Sequence, residues 1–138
     1  MTHPLVEAAR AYLGCPFKHQ GRARHGMDCA GLAVISANDC GMYPKDVSGY
    51  GREPFNAGLE ATLVAACGEP IDQSTIQPGD VLMMRFTGEP QHIAIVTDYI
   101  GGGLGIIHAH AGVQKVTEHR LDEKWTSRIV KAYRPTMP

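Results

Sequence analysis

The sequence predicts an α+β domain, with N-terminal helices packed on one face of a C-terminal antiparallel sheet of about five strands. Three observations carry this expectation. Apolar residues recur at helical spacing in the first half of the chain, as in Leu5, Ala8, Ala9, Tyr12 and Leu13. From Val81 onward the apolar residues fall in short β-branched runs, separated by turn signals at Pro78-Gly79-Asp80, Gly88-Glu89-Pro90 and Gly101-Gly102-Gly103. The 138 residues, 43% hydrophobic and 20% charged, suit one domain with a core that needs neither disulfides nor metal, so residues 1–138 are read as a single unit. Helices followed by a strand meander bury their apolar faces by packing one layer on the other.

Taken in order, residues 4–14 read as a helix that Thr2 can cap and Pro4 can start, with Gly14 and Pro16 stopping it. Residues 15–27 hold Gly21, Gly26 and polar side chains and read as a loop. Asp28 is then an N-cap for a second helix, apolar nearly all round and so expected deep in the core, ending at residues 38–41. Residues 43–56, rich in Pro, Gly and Tyr, read as a crossing loop, and residues 57–67 as a short amphipathic helix. Strands are expected at 81–86, 93–99, 104–110 and 112–117, with 129–133 closing the sheet.

Composition excludes several classes. The formal net charge of -1 argues against a nucleic-acid binder, although Lys18, Arg22 and Arg24 make a local basic loop conceivable. No apolar run reaches a membrane span. The start Met1-Thr2-His3-Pro4 lacks the basic and apolar stretches of a signal peptide, which predicts synthesis in the cytoplasm and exit by lysis or inside a particle. The four cysteines, Cys15, Cys29, Cys40 and Cys67, contain no Cys-x-x-Cys pair and form neither a zinc nor a disulfide framework.

Chemistry concentrates at Cys29. The default for a free cysteine is a buried small apolar residue. Cys29, however, follows the cap Asp28 at the first turn of a helix, where the macrodipole favours a thiolate and free backbone N–H groups could bind an oxyanion. Ala30 and Gly31 leave room for a substrate backbone. Of the seven histidines, His3, His19, His25 and His119 fall in loops or termini and read as surface residues. His92 opens a strand after a turn, where its imidazole can face a packed helix N-terminus. His108 and His110 share one face of the next strand. A hairpin turning at residues 101–103 sets His92 opposite about His110, with His108 a diagonal neighbour. A base held by a third polar group is how such nucleophiles are activated, and pairing alone leaves His108 and His110 both open for that third role. A metal site built from the same histidines plus Cys29 is the competing reading, without a carboxylate motif or Cys pair to support it.

These residues resemble the NlpC-type papain-like peptidoglycan peptidases, and among them the small cell-wall peptidases of phage tails and gene transfer agents. Gly14-Cys15-Pro16-Phe17-Lys18-His19-Gln20-Gly21 resembles the Gly-x-Pro-Tyr segment and its polar loop. Asp28-Cys29-Ala30-Gly31-Leu32 is similar to the Asp-Cys-Ser-Gly-Leu nucleophile motif. Gln77-Pro78-Gly79-Asp80-Val81-Leu82, His92-Ile93-Ala94-Ile95-Val96 and Ile107-His108-Ala109 resemble the Pro-Gly-Asp-Leu, His-Val-Gly-Ile-Tyr and Ile-His-Ala strands. Val116-Thr117-Glu118-His119-Arg120-Leu121 and Trp125 look like the phage-type tail end.

The resemblance implies a papain-like fold and a cysteine endopeptidase of murein stem peptides, cutting between D-glutamate and a diamino acid. It implies Cys29 as nucleophile, His92 as base and His108 as the residue that orients His92. Asp28, Phe17 and Gln20 become substrate-binding candidates, with Asp28 helping to fix the amino end of the peptide. No cofactor or metal is implied. The expected partners are the stem peptide and, for a phage-type member, tail-tip proteins, with delivery to the wall in a phage-like particle. Ala30 departs from the usual Ser, and Phe17 stands where many members carry Tyr, whose hydroxyl shapes the substrate site. An amidase or acyltransferase on the same fold, and an inactive tail-assembly protein, are the alternatives.

Overall fold

The computed structural model describes residues 3–41, 67–86 and 92–135. The expected crossing loop and the helix at residues 57–67 lie almost wholly outside these, as do Thr2 and the turn at residues 88–90. Helix α1 spans Pro4–Arg10, four residues short of the expected span, because Ala11 to Gly14 turn off the helix and Gly14 takes φ +85°. Its N-cap is His3, whose imidazole accepts from the Leu5 N–H at 3.0 Å.

The segment read as a loop contains a two-stranded ribbon, β1 (Arg22–Ala23) and β2 (Gly26–Met27). Helix α2 runs Cys29–Asp39 from the N-cap Asp28, as its sequence implies. Its first turn and Ser36 and Ala37 are buried, whereas Ala33 to Ile35 are half-buried, so it is less enclosed than an all-apolar helix suggests. Tyr12 donates to the Asp39 carboxylate and ties the two helices together.

The remaining strands are β3 (Val81–Met84), β4 (His92–Asp98), β5 (Leu104–His110), β6 (Lys115–Arg120) and β7 (Ile129–Tyr133). They form one antiparallel sheet in the order β6-β5-β4-β3-β7. The first four make the meander, and β7 returns to close the far edge beside β3. A one-turn helix, α3 (Glu123–Thr126), precedes β7 and is capped by Asp122.

Side-chain alternation divides the sheet into two faces. Val81, Met83, Ile93, Ile95, Ile107, Ala109, Val116 and Tyr133 join Leu5, Val6, Ala9, Ala30 and Leu32 in the main core under the helices. Leu82, Met84, Ala94, Val96, Ile106 and Ala132 form a second core on the other face, covered by Ile71, Ile76, Leu121 and Trp125 rather than by the long helices. The turn before β3 needs glycine: Gly79 has φ +94°, and a Cβ there would sit 2.5 Å from the His3 ring.

Candidate active site

The cap that starts α2 also closes the loop in front of it. Asp28 is 3% exposed, and its Oδ1 accepts from the Gly31 N–H at 2.8 Å and from Arg22 at 3.1 Å. Its Oδ2 accepts from the Gln20 N–H at 2.8 Å, with Gln20 at φ 60°. The Gly21 carbonyl presses onto the helix so closely that a Cβ on Gly31 would lie 2.1 Å from it. Glycine in the Asp-Cys-Ala-Gly run thus allows the loop to fold over the helix start. Phe17 is half-buried against the main core and bridges to Met27. Gln20 is exposed on the loop that Asp28 holds.

Cys29 is the first residue of α2 and is 7% exposed. The backbone N–H groups of Ile93 and Ala30 favour the thiolate, and the thiol packs in the main core with Ile93, beside the start of β4. The helix start was expected to lower the thiol's pKa. Burial instead pushes it up to about 12, and the Asp28 carboxylate adds to the rise; the two N–H groups and Arg22 act the other way and are outweighed. At neutral pH the resting thiol is protonated.

His92 begins β4 opposite Met84. The β4–β5 ladder pairs Ile95 with Ile107 and Asp98 with Leu104, and continued in the same register it sets His92 across from His110, as expected. By alternation His92, His108 and His110 all project from the face that carries the second core. There His92 Nε2 lies 2.5 Å from His108 Nδ1. His110 makes no such contact: its ring stacks on His108 at 5.0 Å, and its Nδ1 accepts from the Gly112 N–H at 3.3 Å. Hydrogen bonding therefore separates two histidines that strand pairing left equivalent.

Burial pushes His92 down to about 3, with His110 and Arg128 adding positive charge nearby. His108 is held well below the usual histidine range by burial first, then by His92, His119 and His110. His110 is lowered by burial, His119 and Arg128. A neutral His92 is the form that can accept a proton.

His119, read from sequence as a surface residue, lies on β6 opposite Ile106, with its Nε2 2.9 Å from His108 Nε2. Trp125 covers the group, its ring 5.1 Å from His108 and 4.8 Å from His119. Phe86 stands 5.0 Å from His92, and Arg128 lies over both the Phe86 and Trp125 rings. His119, Phe86 and Arg128 were absent from the sequence-derived site. Among the described residues, no group of three His, Cys, Asp or Glu side chains is arranged to hold a metal ion, and no helix is long and apolar enough to cross a membrane.

Residues 14–134 match the NlpC/P60 family. The chain belongs to the NlpC/P60 family. Proteins of Mycobacterium tuberculosis and Mycobacterium bovis named probable endopeptidases are 31% identical over 109 residues, covering 79% of this chain and 24% of theirs. The probable endopeptidase NlpC of Escherichia coli is 26% identical over 88 residues, 64% of this chain and 49% of its own. This chain thus spans about a quarter to a half of these curated relatives. Among solved structures, the NlpC/p60 domain of the peptidoglycan hydrolase SagA superposes with a TM-score of 0.65 at 24% identity, covering 94% of this chain and 95% of that one. A Bacillus cereus NlpC/P60 protein superposes with a TM-score of 0.70 at 22% identity, over 98% of this chain and 40% of that one. Both share the papain-like α+β fold expected from the sequence.

Proposed function

We propose that this NlpC/P60 domain is a cysteine endopeptidase of bacterial cell-wall stem peptides, with Cys29 as nucleophile, His92 as base and His108 as the residue that orients it. One arrangement carries the reading: a thiol at a helix start packs beside the start of β4, and the imidazole that opens that strand is held at 2.5 Å by a second one. Kinship to proteins named endopeptidases and peptidoglycan hydrolase supports the substrate class.

With thiol and imidazole both neutral at rest, His92 removes the S–H proton as sulfur attacks the peptide carbonyl carbon. Backbone N–H groups at the start of α2, that of Cys29 among them, stabilise the oxyanion. The C–N bond then breaks, His92 returns its proton to the leaving amine, and a thioester remains on Cys29. Water, deprotonated by His92, hydrolyses the thioester and restores the thiol. His108 keeps the ring of His92 in place throughout.

Asp28 acts in recognition through the loop it ties down, which presents Gln20 and Phe17 to the amino end of the peptide. The bond cut is the one between D-glutamate and the diamino acid. Similarity of Val116 to Leu121 and Trp125 to phage-type members supports action beside tail-tip proteins during wall penetration, after synthesis in the cytoplasm. Purified peptidoglycan incubated with wild type and Cys29→Ala tests the activity. Wild type alone should release peptides whose masses fit cleavage after D-glutamate. Equal release by both refutes the cysteine mechanism, and a mass fitting sugar–peptide cleavage refutes the endopeptidase.

A further inference from the structure

The histidine pair does not end at His108. His119 Nδ1 lies 3.0 Å from the backbone carbonyl of Arg120, and His119 Nε2 lies 2.9 Å from His108 Nε2. A carbonyl oxygen can only accept, so His119 must carry its proton on Nδ1. In a neutral ring this leaves Nε2 bare, and Nε2 then accepts from the Nε2–H of His108. His108 in turn has a bare Nδ1, which accepts the Nε2–H of His92 across 2.5 Å. His92 is left with its lone pair on Nδ1. One main-chain carbonyl on β6 thus dictates the protonation pattern of three consecutive imidazoles.

We infer that His119 is a positioning residue: through His108 it holds His92 in the single tautomer whose Nδ1 can take the proton of Cys29. The inference rests on the proposal that His92 serves as the base. The need for such a device follows from the symmetry of the contact. Two neutral imidazoles 2.5 Å apart can share one proton in either sense. If His108 carried it on Nδ1, His92 would accept at Nε2, carry its own proton on Nδ1 and have no lone pair for the thiol. Nothing within the His92–His108 pair distinguishes the two arrangements. His110 does not break the tie, because it stacks on His108 and its Nδ1 takes the Gly112 N–H. Trp125 meets the rings of His108, His110 and His119 at steep or tilted angles, packing against the chain of rings without hydrogen bonding into it.

Tautomers can be read directly from the ¹⁵N resonances of labelled histidines, without any substrate. In the wild-type chain His92 and His108 should each be protonated on Nε2 and bare on Nδ1, and His119 protonated on Nδ1. His119→Leu removes the acceptor and should give His92 a mixture of tautomers. It should also lower kcat on a soluble stem peptide by roughly 10- to 100-fold, by analogy with the loss of a partner that orients a metal-binding imidazole, with KM unchanged. His119→Gln restores an acceptor oxygen and should recover both the tautomer and most of kcat. Wild-type His92 protonated on Nδ1, or a His92 tautomer unmoved in His119→Leu, overturns the inference. Should His119→Leu fail to fold, the wild-type spectrum and His119→Gln still decide it. An inactive wild type with the expected tautomers would refute the proposed function and leave the positioning role intact.

Discussion

Burial of neutral histidines should make this domain sensitive to mild acid, and His92 allows the effect to be sized. Unfolded, its imidazole titrates at about 6.5; folded, burial holds it down to about 3. Above 6.5 both states are neutral and stability is unaffected. As pH falls below that value the unfolded chain takes up a proton that the folded one refuses, so stability is lost progressively until pH approaches 3. At about 1.4 kcal/mol per unit, the whole window is worth about 5 kcal/mol. Between about pH 6 and about pH 5, above the range in which carboxylates protonate, the loss from His92 alone is about 1.2 kcal/mol. Urea melts at those two pH values, on wild type and His92→Gln, measure it. The variant should lose about 1.2 kcal/mol less than wild type over that step, with His108 continuing to contribute in both. Equal losses would mean that the folded protein accommodates a charged His92, and the neutral resting pair would then be wrong.

Other consequences follow from the same geometry. Because burial pushes the Cys29 thiol up to about 12, alkylation by iodoacetamide at neutral pH should be slower than for a free cysteine by roughly three orders of magnitude. Its rate should keep climbing about tenfold per unit past pH 9; fast reaction at pH 6 would instead reveal a preformed thiolate–imidazolium pair. Slow alkylation therefore does not identify an inactive member of the family. Gly31→Ala drives a methyl onto the Gly21 carbonyl and should cost at least about 1–3 kcal/mol in chemical denaturation, with loss of peptidoglycan hydrolysis. Trp125→Ala uncovers His108 and His119. Its ring is only part-buried, so about 2–3 kcal/mol is expected rather than the ~3–5 of a fully buried tryptophan, together with lower kcat; an unchanged melt would mean that Trp125 does not cover the histidines.

Where the sequence was legible, a local signal and a tertiary need coincided. Asp28 marks the start of α2 because the same carboxylate that caps the helix also holds Gln20 and Arg22. Glycines 101–103 fix the register of β4 on β5, and that brings His92, His108 and His110 to one end of one face. Sequence and structure part where turns are longer than they read. Residues 111–114 form the turn before β6, with Gln114 at φ 61°, so the strand begins at Lys115 rather than at 112. That shift of three residues moves His119 from an expected loop onto a strand opposite Ile106 and into reach of His108. Helix α1 stops early for a related reason: residues 14–17 leave it to pair with the start of β6, through the Gly14 N–H to Val116 and the Val116 N–H to Cys15. A helix terminus, which favours a thiolate, is visible in a sequence, whereas the packing of Cys29 into the main core, which raises its pKa, is not.

On the proposed mechanism, Cys29 becomes covalently acylated during hydrolysis. Rapid acid quenching of the protein with a soluble stem peptide, followed by intact-mass analysis and mapping of the modified fragment, tests it most directly. A thioester carrying the acyl half of the peptide should form on Cys29, and none in Cys29→Ala. Acylation at any other residue, or turnover by Cys29→Ala, would contradict it.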